Sequence, residues 1–177
     1  MRREDMIRKY RKTDRAKIKH LYRDALFLEP TFSCYLDKHY KPFVYEEDGK
    51  IIGVIVLQQD YLMVDIFNLY VDIDHRGKGI GRILLNFAEE YARRKKLHGV
   101  KVETSEDNKE AQSFYLKCGY QKVGEVKNYR LKDGTSIFFW KGFPESDVFL
   151  SYYRRQPSAI GKEQPLSQRK KLQEMKN

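Results

Sequence analysis

At 177 residues the chain is long enough for one domain with a real hydrophobic core, and 41% hydrophobic with 14% aromatic residues excludes wholesale disorder. No apolar run approaches the roughly 18 residues of a membrane-spanning helix. Two cysteines, Cys34 and Cys118, supply neither a disulfide framework nor a repeated metal spacing. The formal charge of +10, weighted toward both ends, favours anionic partners: a polyphosphate cofactor, nucleic acid, a ribosomal surface or an acidic protein.

The first residues, Met1-Arg2-Arg3-Glu4-Asp5, lack the apolar centre of a secretory signal, so a reduced cytoplasmic setting is expected. Met6 to Tyr10 alternates as a first strand. Thr13 or Asp14 offers an N-cap, and Ile18, Leu21, Tyr22 and Ala25 recur at helical spacing, which predicts a helix from Thr13 to about Phe27 closed by Glu29-Pro30. Thr31 to Pro42 shows no period and gathers Cys34, Tyr35, Asp37, His39 and Tyr40, as a substrate-facing loop or a short packed helix would.

Phe43 to Tyr45 and Lys50 to Gln59 read as strands joined by the turn Glu46-Glu47-Asp48-Gly49, and Met63 to Ile73 as a third long strand of an antiparallel meander. A glycine-rich turn follows at once, carrying Arg76, Gly77, Lys78, Gly79, Gly81 and Arg82. Behind it Ile80, Ile83, Leu84, Phe87, Ala88, Tyr91 and Ala92 keep a 3.6 period that ends in the basic Arg93-Arg94-Lys95-Lys96. The order strand, Gly-rich turn, helix makes an anion site, because the first helical turn leaves N–H groups without partners and the glycines admit a bulky anion. Its natural guest is a pyrophosphate.

Gly99 to Thr104 is a strand that closes a βαβ crossover, hence parallel to the strand before the helix. Asn108 to Cys118 is a short helix stopped by Gly119, and Tyr120 to Tyr129 with Thr135 to Lys141 forms a last hairpin around Lys132-Asp133-Gly134. The reading gives a domain over residues 1–144 and a basic, aromatic-containing extension over 145–177. Phe149, Tyr152 and Tyr153 in that extension suggest that it packs back on the domain or joins two subunits, so the chain is expected as monomer or homodimer.

The spacing Arg76-x-x-Gly79-x-Gly81 after a strand and opening a helix resembles the acyl-CoA motif of the GNAT acetyltransferase superfamily. Asn108, Ala111, Phe114-Tyr115 and Gly119-Tyr120 resemble that family's second motif, and the element order resembles its fold over Met6 to Phe143. Rossmann and P-loop turns differ in detail: there is no Gly-x-Gly-x-x-Gly opening a βαβ unit, and Gly-Lys-Gly lacks the Walker Ser/Thr. The resemblance implies an α+β fold with a central twisted mixed sheet of about seven strands and flanking helices. It implies acetyl-CoA as cosubstrate, no metal, and direct acetyl transfer to a primary amine in a ternary complex.

Carried over residue by residue, the resemblance places the pantetheine arm along the backbone of Leu69, Tyr70 and Val71. It places the pyrophosphate on Arg76, Gly77, Lys78, Gly79, Ile80, Gly81 and Arg82, with Asn108 beside the arm. Tyr115 matches the general acid for the leaving thiolate. Glu103, five residues before Asn108, is similar to the base of the ribosomal-protein alanine N-acetyltransferase branch, as is Asn128-Tyr129 before the last turn. Asp65, Glu106, Asp107, Asp37 and His39 are rival polar groups. An α-amino group with pKa near 8 is about one-tenth neutral at pH 7, whereas a lysine near 10.4 is neutral at well under one part in a thousand, which favours an N-terminal acceptor. Lysine and small amines such as polyamines or aminoglycosides stay open. So does a non-catalytic CoA-binding module that recruits RNA, a ribosome or a protein partner through the basic ends.

Overall fold

The computed structural model describes residues 6–22, 38–130 and 134–143. Seven strands form one mixed sheet in the order β1-β2-β3-β4-β5-β7-β6. They are β1 Ile7–Lys9, β2 Tyr40–Glu47, β3 Lys50–Gln59, β4 Met63–Val71, β5 Gly99–Ser105, β6 Gln121–Arg130 and β7 Gly134–Gly142. The helices among the described residues are α1 Arg15–Ile18, α2 Ile80–Arg94 and α3 Lys109–Lys117. This is the expected architecture, a mixed sheet with flanking helices. No helix among the described residues is long and apolar enough to cross a membrane.

β3 explains the layering. Its run from Ile51 to Leu57 is buried throughout, as a central strand covered on both faces must be. On one face Ile55, Leu57, Val64, Ile66, Val100 and Val102 meet Ile80, Leu84, Leu85, Ala88 and Ala92 of α2, together with Tyr115 of α3. On the other face Val54, Val56, Ile51 and Val44 meet Ile18 and Leu21. The apolar positions of α2 thus form the stripe that its period predicts. Leu84 has 0% exposure, and burying such a side chain contributes on the order of 2 kcal/mol.

Four expectations are corrected. The N-terminal helix is not continuous: Lys12–Asp14 and Lys19–Tyr22 are 3-10 turns around the short α1, and its predicted stretch from Arg23 onward lies outside the described residues. Asp14 stands at the N-cap of α1 but makes no side-chain cap bond there; its carboxylate accepts from the Arg11 N–H at the start of the preceding 3-10 turn and pairs with Arg8. β2 begins at Tyr40, inside the segment read as irregular. β4 ends at Val71 rather than Ile73, because the Asp72 carboxylate accepts from the Asp74 N–H and turns Ile73–His75 into a 3-10 turn. Cys34, the Lys132-Asp133 turn and residues 144–177 lie outside the described residues.

The pairing that positions the site is that of β4. Its parallel register with β5 runs from Met63 opposite Gly99 to Ile66 opposite Val102, and stops. On its β3 side the register shifts at the same place: Leu57 faces Ile66 but Val56 faces Asn68, so Phe67 is an extra residue. Such a bulge bends its strand. Beyond Phe67, β4 and β5 part company and leave a notch.

Candidate active site

The notch opens onto a cavity of about 600 Å³ on the α2–α3 side of the sheet. One wall is β4. The Asp72 N–H bonds the Ile52 carbonyl, and opposed residues of an antiparallel pair alternate between bonded and non-bonded partners. Tyr70 and Asn68 therefore share their backbone groups with β3. Leu69 and Val71 turn theirs toward the open side. Of the three residues expected to act through their backbone, Tyr70 thus has its groups taken up by β3; its ring packs with the core on the other face of the sheet, and the Arg76 guanidinium lies 5.4 Å from the ring centroid.

The floor is the Gly-rich turn. Gly77 (φ 75°) and Gly79 (φ 84°) sit in the left-handed region, and a Cβ at either would meet nothing within 4 Å. These glycines are required by backbone conformation, not by crowding. Gly79 is the N-cap of α2, and its carbonyl accepts from Ile83. The N–H groups of Ile80, Gly81 and Arg82 are left without intrahelical partners, as in any first turn. Gly81 has a different reason: an added Cβ would stand 3.4 Å from the Phe114 ring, where α2 and α3 approach.

The far wall is α3. Asn108 caps it, Oδ1 accepting from the Ala111 N–H at 3.0 Å, so the side-chain NH₂ is what Asn108 can still offer. Arg82 reaches across and donates to the Lys117 carbonyl at 3.0 Å. Arg76 donates to the Val71 carbonyl at 3.3 Å and lies 3.8 Å from Glu110, which is exposed. Arg76, Arg82 and Lys117 line the cavity against that one carboxylate, so its field is positive. A diphosphate-bearing guest fits this lining: free helix-end donors, open space over left-handed glycines, and surplus cations.

Tyr115 borders the cavity while being packed against Phe114, Tyr120 and Phe139 at ring distances of 5.3, 5.9 and 5.6 Å. Burial, with a smaller push from Cys118, raises its phenol far above the ordinary value. It keeps its proton at any working pH.

Lys78 and Glu103 do not line this cavity. On β5, Val100 and Val102 face the helices, so Lys101, Glu103 and Ser105 face the opposite side. Glu103 is the first residue past the last parallel pair, at the apex of the notch. Its Oε1 accepts from Ser136 Oγ at 2.7 Å. On the same face Lys101 Nζ pairs with Asp65 at 2.7 Å and lies 5.8 Å from the Phe138 ring. Burial pushes the Asp65 carboxyl up against the opposing pull of Lys101. Tyr129 meets Phe138 edge-to-face at 5.6 Å, presented by a bulged stretch of β6 in which Asn128 has φ 55°. Phe67 meets Tyr40 at 4.7 Å. Of the rival groups, Glu106 and Asp107 are exposed in the turn before α3, His39 is exposed before β2, and Asp37 lies outside the described residues.

Sequence reasoning missed His75, Glu110, Ala111, Phe114 and Lys117 as lining residues. A signal existed for three of them, because 110, 114 and 117 share one helical face. A second cavity, of about 760 Å³, lies at the other end of β5 between Leu62, Met63, His98, Trp140 and Phe143. It is larger but has no helix N-terminus, and its lysine, Lys141, is tied to Glu89 at 2.8 Å. The notch is the better candidate. Among the described residues no group of three or more His, Cys, Asp or Glu side chains is placed to hold a metal ion.

Residues 4–120 match the family model described as the acetyltransferase (GNAT) family. An uncharacterized N-acetyltransferase of Methanocaldococcus jannaschii is 28% identical over 134 residues, covering 71% of this chain and 59% of that protein. A streptothricin acetyltransferase of Escherichia coli is 34% identical over 101 residues, covering 54% of this chain and 58% of its own length. The chain thus spans less than two thirds of these curated relatives. In fold it is similar to the ribosomal-protein-S18-alanine N-acetyltransferase of Escherichia coli, with a TM-score of 0.68 and 22% identity, covering 77% of this chain and 92% of that one.

Proposed function

Because this chain belongs to the GNAT acetyltransferase family, we propose that it holds acetyl-CoA in the notch and transfers the acetyl group directly to a primary amine, a protein N-terminal amine before a lysine. The observation that carries this reading is the notch itself. Its open strand edge and cationic turn lie on one face, and a carboxylate stands at its apex on the other.

When bound, acetyl-CoA supplies an activated thioester and a diphosphate. Gly77, Gly79, Ile80 and Gly81 offer backbone donors to the diphosphate, with Arg76, Arg82 and the nearby Lys78 adding charge. Leu69 and Val71 align the arm as a neighbouring strand would, and Asn108 turns its NH₂ to it. A backbone N–H aimed at the thioester oxygen is worth roughly 3 kcal/mol in enzymes generally. Glu103 takes a proton from the incoming amine, directly or through water. The C–N bond forms, the C–S bond breaks, and the thiolate leaves beside Tyr115.

The raised pKa of Tyr115 refines its role. An ordinary phenol near 10 already lies above a thiol near 8.5, so complete proton transfer to the thiolate is uphill, and burial steepens it. Tyr115 acts chiefly by donating a hydrogen bond to the departing sulfur. Full protonation follows from solvent or from the proton Glu103 has collected.

The acceptor face supports a single amine. Lys101 neutralises Asp65 there, and Phe67, Phe138 and Tyr129 give it an aromatic rim, which suits a peptide end better than a polycation. A small-molecule acceptor is the second reading, favoured by the similarity to the streptothricin acetyltransferase. Thiol release from acetyl-CoA is to be measured with an alanine-initiated peptide, a lysine peptide with a blocked N-terminus, a polyamine and an aminoglycoside. Turnover with the first is expected. Turnover confined to polyamine or aminoglycoside overturns the N-terminal reading, and CoA binding without turnover on any acceptor points to a binding module.

A further inference from the structure

Ser136 lies on β7 opposite Ser105 and is completely buried. Its hydroxyl is not spent on packing: Oγ is 2.7 Å from Glu103 Oε1, across the strand pair and two residues off the facing register, in which Glu103 meets Phe138. We propose that Ser136 is the positioning residue of the catalytic base, fixing the Glu103 side chain at the apex of the notch. This rests on the reading of Glu103 as the base.

The physical case is geometric. A hydroxyl buried in a strand has little rotational freedom, so a hydrogen bond from it restricts a glutamate side chain, which has three rotatable bonds. Around Glu103, Lys101 on its own strand is engaged by Asp65 of β4 at 2.7 Å, and Phe138 of β7 and Tyr129 of β6 bring aromatic rings. Ser136 supplies a neutral donor from a fixed position on the neighbouring strand.

The test uses the full chain with Ser136→Ala, Ser136→Thr, Glu103→Gln and the double variant Ser136→Ala/Glu103→Gln. Values of kcat and KM are followed with acetyl-CoA and an alanine-initiated peptide, and melting curves establish that the variants fold. Ser136→Ala is expected to lower kcat by about fivefold to tenfold, the loss of one hydrogen bond, with KM for acetyl-CoA unchanged. Ser136→Thr, which keeps the hydroxyl, is expected to restore most of it. In the Glu103→Gln background Ser136→Ala is expected to change the residual kcat little, because the group it positions is already gone. The same fold loss in both backgrounds, as a purely structural serine would give, or an unchanged kcat in Ser136→Ala overturns the positioning role and leaves the base standing. Full activity in Glu103→Gln overturns both.

Discussion

Lys141 is the residue whose removal tests the packing of the site most sharply. Its ammonium lies 2.8 Å from Glu89 of α2 and donates to the Cys118 carbonyl at the end of α3 at 3.0 Å. One side chain of β7 therefore ties together the helix that opens with the anion turn and the helix that carries Tyr115. The Glu89 side chain is 7% exposed, and its second cation, Arg93, is farther away at 3.8 Å and 44% exposed. Removing one partner of a buried pair costs about 3–5 kcal/mol, because the remaining charge is stranded out of water. Lys141 is itself 28% exposed and Arg93 can draw closer, so Lys141→Met is expected nearer the low end, at about 2–3 kcal/mol. Urea unfolding followed by circular dichroism measures it as a lower midpoint with an unchanged slope. The double variant Glu89→Gln/Lys141→Met strands no charge and should lose less than Lys141→Met alone. A change below about 0.5 kcal/mol in the single variant, or strict additivity in the double, would refute the reasoning.

Other outcomes follow from single features. Arg8 donates to Asp14 at 2.7 and 3.0 Å and, with the Arg11 N–H, holds that buried carboxyl below the ordinary value against the cost of burial. A depressed folded pKa means stability that is present above the ordinary carboxylate value, near 3.9, and lost as pH falls through the lower folded one. Urea midpoints of the wild type should drop in that acid window, while Arg8→Met starts lower at neutral pH and falls less; parallel curves would contradict this. Gly79→Ala forces a side chain into φ 84° with open space around it, so unfolding should cost about 1–2 kcal/mol less than in wild type, with CoA affinity falling further. Gly81→Ala is helical and should change stability by less than about 1 kcal/mol, and an equal loss in both would be contrary. Tyr115→Phe should slow kcat by about tenfold to a hundredfold without abolishing it. Because burial raises the phenol, no alkaline break below about pH 10 belongs to Tyr115; a wild-type break near pH 8 that vanishes in Tyr115→Phe would count against that.

Much of this molecule is legible in its residues, for reasons that are local. α2 announces itself by a sustained period between a Gly-rich turn and a basic end, and it runs from Ile80 to Arg94 as expected. Asn108 reads as a cap and is one. The central strand shows as an unbroken apolar run. What stayed hidden is set by partners distant in sequence. The bulge at Phe67 lies inside an ordinary apolar run, and only the register on both sides of β4 reveals that it opens the notch. The hairpin reading foresaw that β6 and β7 pair, but not that β7 sits between β6 and β5. That order brings Ser136 to Glu103, across 33 residues. Asp14 misled for a related reason: it looks like a helix cap, yet a guanidinium from β1 claims it.

Where acetyl-CoA sits is read directly by a ¹⁵N–¹H correlation spectrum of the full chain titrated with acetyl-CoA. The prediction is large, saturable shifts at the amides of Leu69, Val71, Gly77, Gly79 and Gly81, with Tyr70 shifting little because its N–H stays bonded to β3. Shifts centred instead on His98, Trp140 and Phe143, around the other cavity, or no saturable shifts at all, would contradict it.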